Sequence, residues 1–310
     1  METKKIFSKD LRRPRRKTTH NKLNLGDRLF SYFCNGFIGL VCILTLYPFI
    51  YVISASLSPA TSIMRNEVIL FPKDITLYAY EVVVQYKGLW IAYANTVFYT
   101  VCGTLISLLL TVLAAYPLSR KRWKARKICS FFVVFTMWFS GGMIPFFLVI
   151  RDLDLLNTRF VILIYNAIAA FYVIIMRTYF ERIPQEIEES AKLDGASDLT
   201  ILFRIMLPLS LPVVAAIGLY YAVGKWNSYF WEMIFISDEG KMPVQVLLQR
   251  ILLASQMGQE LVKSLNKGER TIPITIQYAC IIVTSLPIIV LYPFVQKYFV
   301  KGVMLGGVKG

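Results

Sequence analysis

The sequence predicts an all-α membrane protein: a polytopic membrane helix bundle with six transmembrane helices and one helical element on the cytoplasmic side. Three observations predict it. Hydrophobic residues make up 56% of the chain and aromatic residues 14%, with a mean hydropathy of +0.55; a soluble domain holds such a composition only by exposing apolar surface to water. Uncharged apolar runs recur along the 310 residues, several of them near the roughly 20 residues that cross about 30 Å of hydrocarbon. Basic clusters lie directly beside those runs, as in the cytoplasmic segments of membrane proteins.

Taken in order, residues 1–28 form a basic cytoplasmic tail carrying Lys4, Lys5, Lys9, Arg12, Arg13, Arg15, Arg16 and Lys17. No charge occurs from Leu29 to Met64, and Phe30 to about Ser56 is the first span. It is too long for a signal peptide and lacks a small-x-small cleavage site. The second run is Gly88–Ser119, the third Ile128–Ile150 and the fourth, shorter, Phe160–Met176. The fifth begins at Ile205 and is interrupted only by Lys225 and Glu232; the sixth is Thr271–Gln296. Residues 29–300 thus form the transmembrane domain, and 301–310 a second cytoplasmic tail. Pro48, Pro117, Pro145, Pro208, Pro212, Pro287 and Pro293 fall in or at the ends of spans, where they bend helices around a path or within a packed bundle.

Charge orients the bundle. The formal net charge of +15 is concentrated in the N-terminal tail and in Arg120, Lys121, Arg122, Lys124, Arg126 and Lys127. Positions beside apolar runs point to membrane lipid, not nucleic acid, as the anionic neighbour. Both termini and the 119–127 and 177–204 connections are then cytoplasmic, while about 57–87, 151–159 and 237–270 face outward. Cys34, Cys42, Cys102, Cys129 and Cys280 lack CxxC spacing and read as small packing residues. His20 is the only histidine, so a His-based metal site is excluded, and Asp152 with Asp154 is read without a metal role. No G-x4-GK-[ST] occurs, so the chain itself is not expected to bind ATP.

The 177–204 connection differs from the others. From Arg182 it reads RIPQEIEESAKLDGASDLTILFRIMLPLSLP. Pro184 suits a first helical turn, and Glu186, Glu188 and Glu189 favour the positive end of that helix. Ile183, Ile187 and Ala191 share a face. Asp194-Gly195 stops the helix, and Ser197 caps the next one, which leads into the fifth span. A short helix presented to the cytoplasm between two spans is a knob that a soluble partner can grip and move. Its acidity beneath a basic protein favours a protein groove over a lipid surface.

Glu189-Ser190-Ala191, then Gly195, then Ile205-Met206-Leu207-Pro208 resembles the EAA loop of binding-protein-dependent ABC permeases, with Ser190 in place of Ala. The resemblance extends over nearly the whole chain. AYPLSRKRWKAR after the second span is similar to the cytoplasmic turn of MalG-like carbohydrate permeases, SGGMIPFFLVIRDLDLLNTR from Ser140 to Arg159 resembles their LplC/YtcP-type subgroup, associated with complex oligosaccharides, and Trp226-Asn227 and the ending Gly306–Gly310 are also family-like.

That resemblance implies an ABC importer type I permease fold in a bacterial plasma (inner) membrane. It implies a second permease subunit, two nucleotide-binding ATPase subunits and an extracellular substrate-binding protein that delivers an oligosaccharide. No cofactor is implied for this chain; ATP and Mg are used by the partner subunits. The coupling loop at about 182–204 is expected to dock through Glu188, Glu189, Ser190, Ala191, Asp194, Gly195 and Ala196. The tail residues Gly307, Val308, Lys309 and Gly310 are expected to reach the ATPase, and about 237–270 to form an outward docking loop.

Lys225 is a cation inside an apolar run, which costs about 2.5–3.5 kcal/mol on insertion scales unless it is sheltered. Either it lines a substrate path with Trp226, Asn227 and Tyr229, meeting sugar hydroxyls or a uronate carboxylate, or it pairs with Glu232 or snorkels outward. Tyr47, Phe49, Tyr51, Tyr220, Tyr221, Phe230 and Trp231 read as interfacial or packing aromatics. Two other classes remain open on residues alone: a polytopic enzyme acting on sugars or lipids, using Glu186, Glu188 and Glu189, and an ion-gradient-driven secondary transporter using Glu232.

Overall fold

The computed structural model describes the backbone of residues 25–265 and 274–307, and the side chains of 25–254 and 274–290. The basic tail before residue 25 and Val308, Lys309 and Gly310 lie outside the described residues.

The regular structure of the described residues is helical, with one longer irregular connection at residues 65–77. In chain order the helices are α1 (Leu25–Ser56), α2 (Ala60–Met64), α3 (Tyr78–Gln85), α4 (Lys87–Ser119), α5 (Arg126–Trp138), α6 (Met143–Asp152), α7 (Arg159–Ile164) and α8 (Ala170–Glu181). There follow α9 (Gln185–Leu193), α10 (Asp198–Ile201), α11 (Leu207–Leu209), α12 (Leu211–Asn227), α13 (Phe230–Phe235), α14 (Val244–Leu265) and α15 (Ile274–Gly307).

The chain forms two compact units, residues 1–50 and 51–310. The described part of the first is a single helix, most of α1, with apolar side chains on every side. Leu29, Phe30, Ile43 and Leu44 are all exposed, which suits a helix dissolved in lipid. Thr45 returns its hydroxyl to the carbonyl of Val41 at 2.9 Å.

In the second unit, α4 runs through the centre and packs against α8 and α12. Its N-terminal half enters one core with Leu89 and Ala92, beside Val244 and Ala279. Tyr99 enters a second with Val161, Phe235 and Met242. Its C-terminal half joins Val112, Ala115 and Tyr116 to Phe180, Ala191, Ile201 and Tyr221. Burial of large side chains such as Phe180, Met176 and Ile201 fixes where α8 and the helices on either side of α9 sit.

The six apolar runs are not six straight rods. Among the described residues, α1 and α4 are each long and apolar enough to cross a membrane. The third run is split into α5 and α6, bent by 115°, where Gly142 adopts φ 85° ahead of Pro145. The fourth is split into α7 and α8, and the N–H of Ala169 in the gap is satisfied by the Tyr221 hydroxyl at 3.0 Å. The fifth bends by 86° between Asp198–Leu209 and α12. Pro208 and Pro212 remove two ladder donors there, and residues Leu202–Met206 widen into a π-helical turn. The 237–270 connection is largely helix, since α14 occupies Val244–Leu265.

Candidate functional site

The 182–204 connection folds into a helix, a glycine turn and a second helix start. Pro184 takes the N-cap of α9, one residue ahead of the first turn where the sequence places it, and Glu186 and Glu188 occupy that turn. At the far end Gly195 has φ 81°. Its N–H bonds the Lys192 carbonyl at 2.9 Å and the Ala196 N–H bonds the Ala191 carbonyl at 3.0 Å. These are the two closing bonds of a Schellman turn, which needs a left-handed residue at the glycine position. Ser197 then accepts the Thr200 N–H at 3.3 Å and caps α10.

The residues expected to dock divide between two faces. Glu188 and Ala191 are buried against the rest of this chain, Ala191 within the core at the C-terminal half of α4. Glu189, Ser190, Asp194 and Gly195 are exposed, and Ala196 is half-buried. Leu193 and Leu199, which the sequence reading passes over, are 90% and 61% exposed beside the glycine turn. Both stand off the Ile183/Ile187/Ala191 stripe, and an apolar residue on a charged helix face is the signal that marks them.

Glu188 is the anchor of α9. One carboxylate oxygen, Oε2, accepts from Arg120 Nη1 at 2.5 Å. The other, Oε1, accepts from Lys192 Nζ at 2.6 Å and lies 3.4 Å from Arg122. Arg120 also donates to the Phe180 carbonyl at 2.9 Å and to Ser119 Oγ at 2.8 Å, and it lies 5.3 Å from the centre of the Tyr116 ring. Burial pushes the Glu188 carboxyl up, but the hydrogen bonds from Lys192 and Arg120 outweigh it and hold it below the usual carboxylate range. Around this centre Arg122 pairs with Asp198, and Arg126 pairs with Glu181 at 2.5 Å.

Between the two helices, Lys225 of α12 lies over Gly103 of α4: a Cβ built at position 103 would stand 2.7 Å from Lys225 Cδ. Lys225 and Glu232 line one small cavity with Thr96, Tyr99, Ile162, Tyr165 and Pro243. The two form no ion pair. Glu232 is satisfied instead by Tyr165 at 2.7 Å and Ser228 at 2.9 Å. The four residues expected along a path differ in burial, and Lys225 is half-buried. Trp226 is buried near Tyr93, with ring centres 6.4 Å apart and its Nε1 unpartnered, whereas Asn227 and Tyr229 are exposed. The buried hydroxyls of Thr100, Thr104 and Ser107, along α4, also lack partners.

Near its N-terminal end, α4 holds the segment before α14. Asn95 Nδ2 donates to the carbonyls of Gly240 at 2.9 Å and Met242 at 3.2 Å, and its Oδ1 accepts from Arg159 at 3.1 Å. Thr96 Oγ1 accepts the Val244 N–H at 2.7 Å, and the Tyr99 hydroxyl donates to the Lys241 carbonyl at 2.7 Å. No group of three or more His, Cys, Asp or Glu placed to hold a metal occurs among the described residues.

An all-helical apolar unit with broken helices and a capped helical knob between two of them is the architecture of a membrane protein, and comparison with known proteins makes it a transport subunit. The chain belongs to the binding-protein-dependent transport system inner membrane component family, whose family model matches residues 107–305. It is 42% identical to the polygalacturonan/rhamnogalacturonan transport system permease protein YtcP of Bacillus subtilis (strain 168), over 92% of this chain and 99% of that one. It is 38% identical to Protein LplC of the same organism, over 94% of this chain and 98% of that one. Among solved structures it resembles a chain from the crystal structure of a bacterial ABC transporter involved in the import of the acidic polysaccharide alginate. That match has a TM-score of 0.80 and 41% identity and covers 89% of this chain and 98% of that one. The family is a transport-system component and the 42% identical relative is a transport system permease, so the chain is a transport subunit and not an enzyme.

Proposed function

We propose that this chain is one of two permease subunits of an ATP-driven importer that takes up an oligosaccharide handed over by an external binding protein. Its six spans, bent ones included, place both termini in the cytoplasm. Helix α9 is the coupling helix, seated in a cleft of a nucleotide-binding subunit, where ATP and Mg are used. Its outward face, Glu189, Ser190, Leu193, Asp194 and Gly195, is the docking surface, while Glu188 and Ala191 fasten it to the membrane domain. The observation that carries this reading is Leu193, 90% exposed at the tip of an otherwise anchored helix; an apolar tip on a fixed acidic knob suits a protein groove. The tail from Gly307 to Gly310 reaches toward the ATPase, and the 237–270 segment meets the binding protein.

The substrate class in this reading is an acidic oligosaccharide. Two relatives at about 40% identity are named for galacturonan and alginate transport, and Lys225, without an ion pair, supplies a cation at membrane depth. The test is to copurify the chain with its ATPase subunits and measure hydrolysis stimulated by loaded binding protein. If no ATPase accompanies the intact chain, the reading fails.

A further inference from the structure

Helix α9 is joined by the backbone to α8 and to the bent segment leading to α12. A third attachment comes from far away in sequence: Arg120, at the inner end of α4, reaches Glu188 across 68 residues. Both side chains are almost fully buried, 8% and 7% exposed, so this pair is shielded from solvent and salt. Arg120 is itself fixed by Phe180 and Ser119, so the guanidinium is a rigid clip with three acceptors on one planar fork.

The other end of α4 is fastened as firmly. Asn95, Thr96 and Tyr99, within little more than one helical turn, bond residues 240–244 through four hydrogen bonds. Between Asn95 and Arg120 lie about 37 Å of helix at 1.5 Å per residue. Along that length Leu108 touches Gly218 and Thr111 meets Tyr221 at 2.8 Å, so α4 is supported by α12. The covalent route from α9 to α12 is interrupted by the 86° bend at Ser210. Helix α4 is unbroken from Lys87 to Ser119.

We propose that α4 is the connecting rod between the ATPase-facing element and the outward 238–244 segment, with Arg120 and Asn95 as the positioning residues at its two ends. Neither residue needs to touch nucleotide, sugar or partner. Displacement of α9 is passed through Glu188 and Arg120 to α4, and from there to the backbone of residues 240–244. The same rod carries a push in the reverse direction. The inference rests on the reading of α9 as the coupling helix.

The experiment uses the assembled transporter in nanodiscs, with the chain's own cysteines replaced and spin labels at positions 67 and 239, both on the outer side in this reading. Pulsed electron paramagnetic resonance reads the distance between them before and after the ATPase is trapped with ATP and vanadate. The expected result is a shift of the distance distribution on trapping. Arg120→Gln and Asn95→Ala are each expected to abolish that shift while ATPase subunits stay bound and still trap vanadate. Arg126→Gln, which removes a cation from the same turn, is expected to keep it. The double variant Arg120→Gln/Asn95→Ala is expected to behave like either single one. A shift that survives in either single variant, or is absent in the parent, overturns the rod. Failure of the parent chain to retain ATPase overturns the coupling-helix reading instead.

Discussion

Lys225 lies across Gly103, so close that the hydrogen at the Gly103 Cα is all the space α4 leaves there. Gly103 therefore determines where the cation rests. Gly103→Ala forces the flexible Lys225 chain aside, while alanine favours helix by about 1 kcal/mol over glycine. The two effects oppose each other, and thermal unfolding of the purified complex is expected to change by less than about 1 kcal/mol. Gly103→Leu is expected to lower stability clearly, since a branched side chain cannot be met by bending the lysine alone.

Lys225→Met is expected to reduce uptake of galacturonate oligomers at least tenfold and to leave uptake of a neutral oligosaccharide of equal length nearly unchanged. Uptake in proteoliposomes of matched acidic and reduced-carboxyl oligomers measures this. Equal loss for both would assign Lys225 to structure alone.

Gly195 holds φ 81°, a region that costs an L-residue roughly 1–2 kcal/mol. Gly195→Asn is therefore expected to retain more stimulated ATP hydrolysis than Gly195→Ala. Gly195→Trp is expected to insert normally and lose stimulation altogether, because its ring adds bulk on the exposed side of the turn. A tryptophan variant with full stimulation would remove the turn from the docking surface.

Leu193→Arg is expected to leave the stability of the isolated chain unchanged, since the side chain is 90% exposed, while releasing the ATPase subunits on purification. Retention of ATPase by this variant at wild-type stoichiometry would show that the tip is not docked.

Glu188 offers a test by charge. Removing one partner of a buried ion pair costs roughly 3–5 kcal/mol, because the other is left charged and unpaired. Glu188→Leu is thus expected to destabilise more than Arg120→Leu/Glu188→Leu, as read by thermal unfolding. The folded carboxyl titrates below its ordinary value. Its stabilisation is fully present above the unfolded value of about 4.3 and is lost as pH falls through the lower folded one. Stability between pH 6 and 8 is expected not to depend on this group.

What could be read from the sequence is what depends on near neighbours. The Gly195 stop and the Ser197 cap each need only residues within one turn, and both stand where the spacing puts them. The partner of Glu188 was not legible. Six basic residues crowd positions 120–127, and only the packing of Phe180 and Tyr116, ring centres 6.4 Å apart, selects Arg120. Pro145, Pro208 and Pro212 mark bends near the breaks at 139–142 and at Ser210 but not their angles, since an apolar run reads alike whether straight or folded back. Helix α14 is hidden by mixed charge, and the burial of Trp226 beside exposed Asn227 depends on what packs against α12, beyond its own periodicity.

The Arg120–Glu188 clip also imposes an order on synthesis. Arg120 leaves the ribosome 68 residues before Glu188, so a nascent chain must keep that guanidinium hydrated at the bilayer surface until α8 has been threaded and α9 has returned. Correct threading of the intervening segments is the condition for closure. A chain halted before residue 185 is accordingly expected to leave the 120–127 turn open to trypsin, and a finished one to protect Arg120 from cleavage.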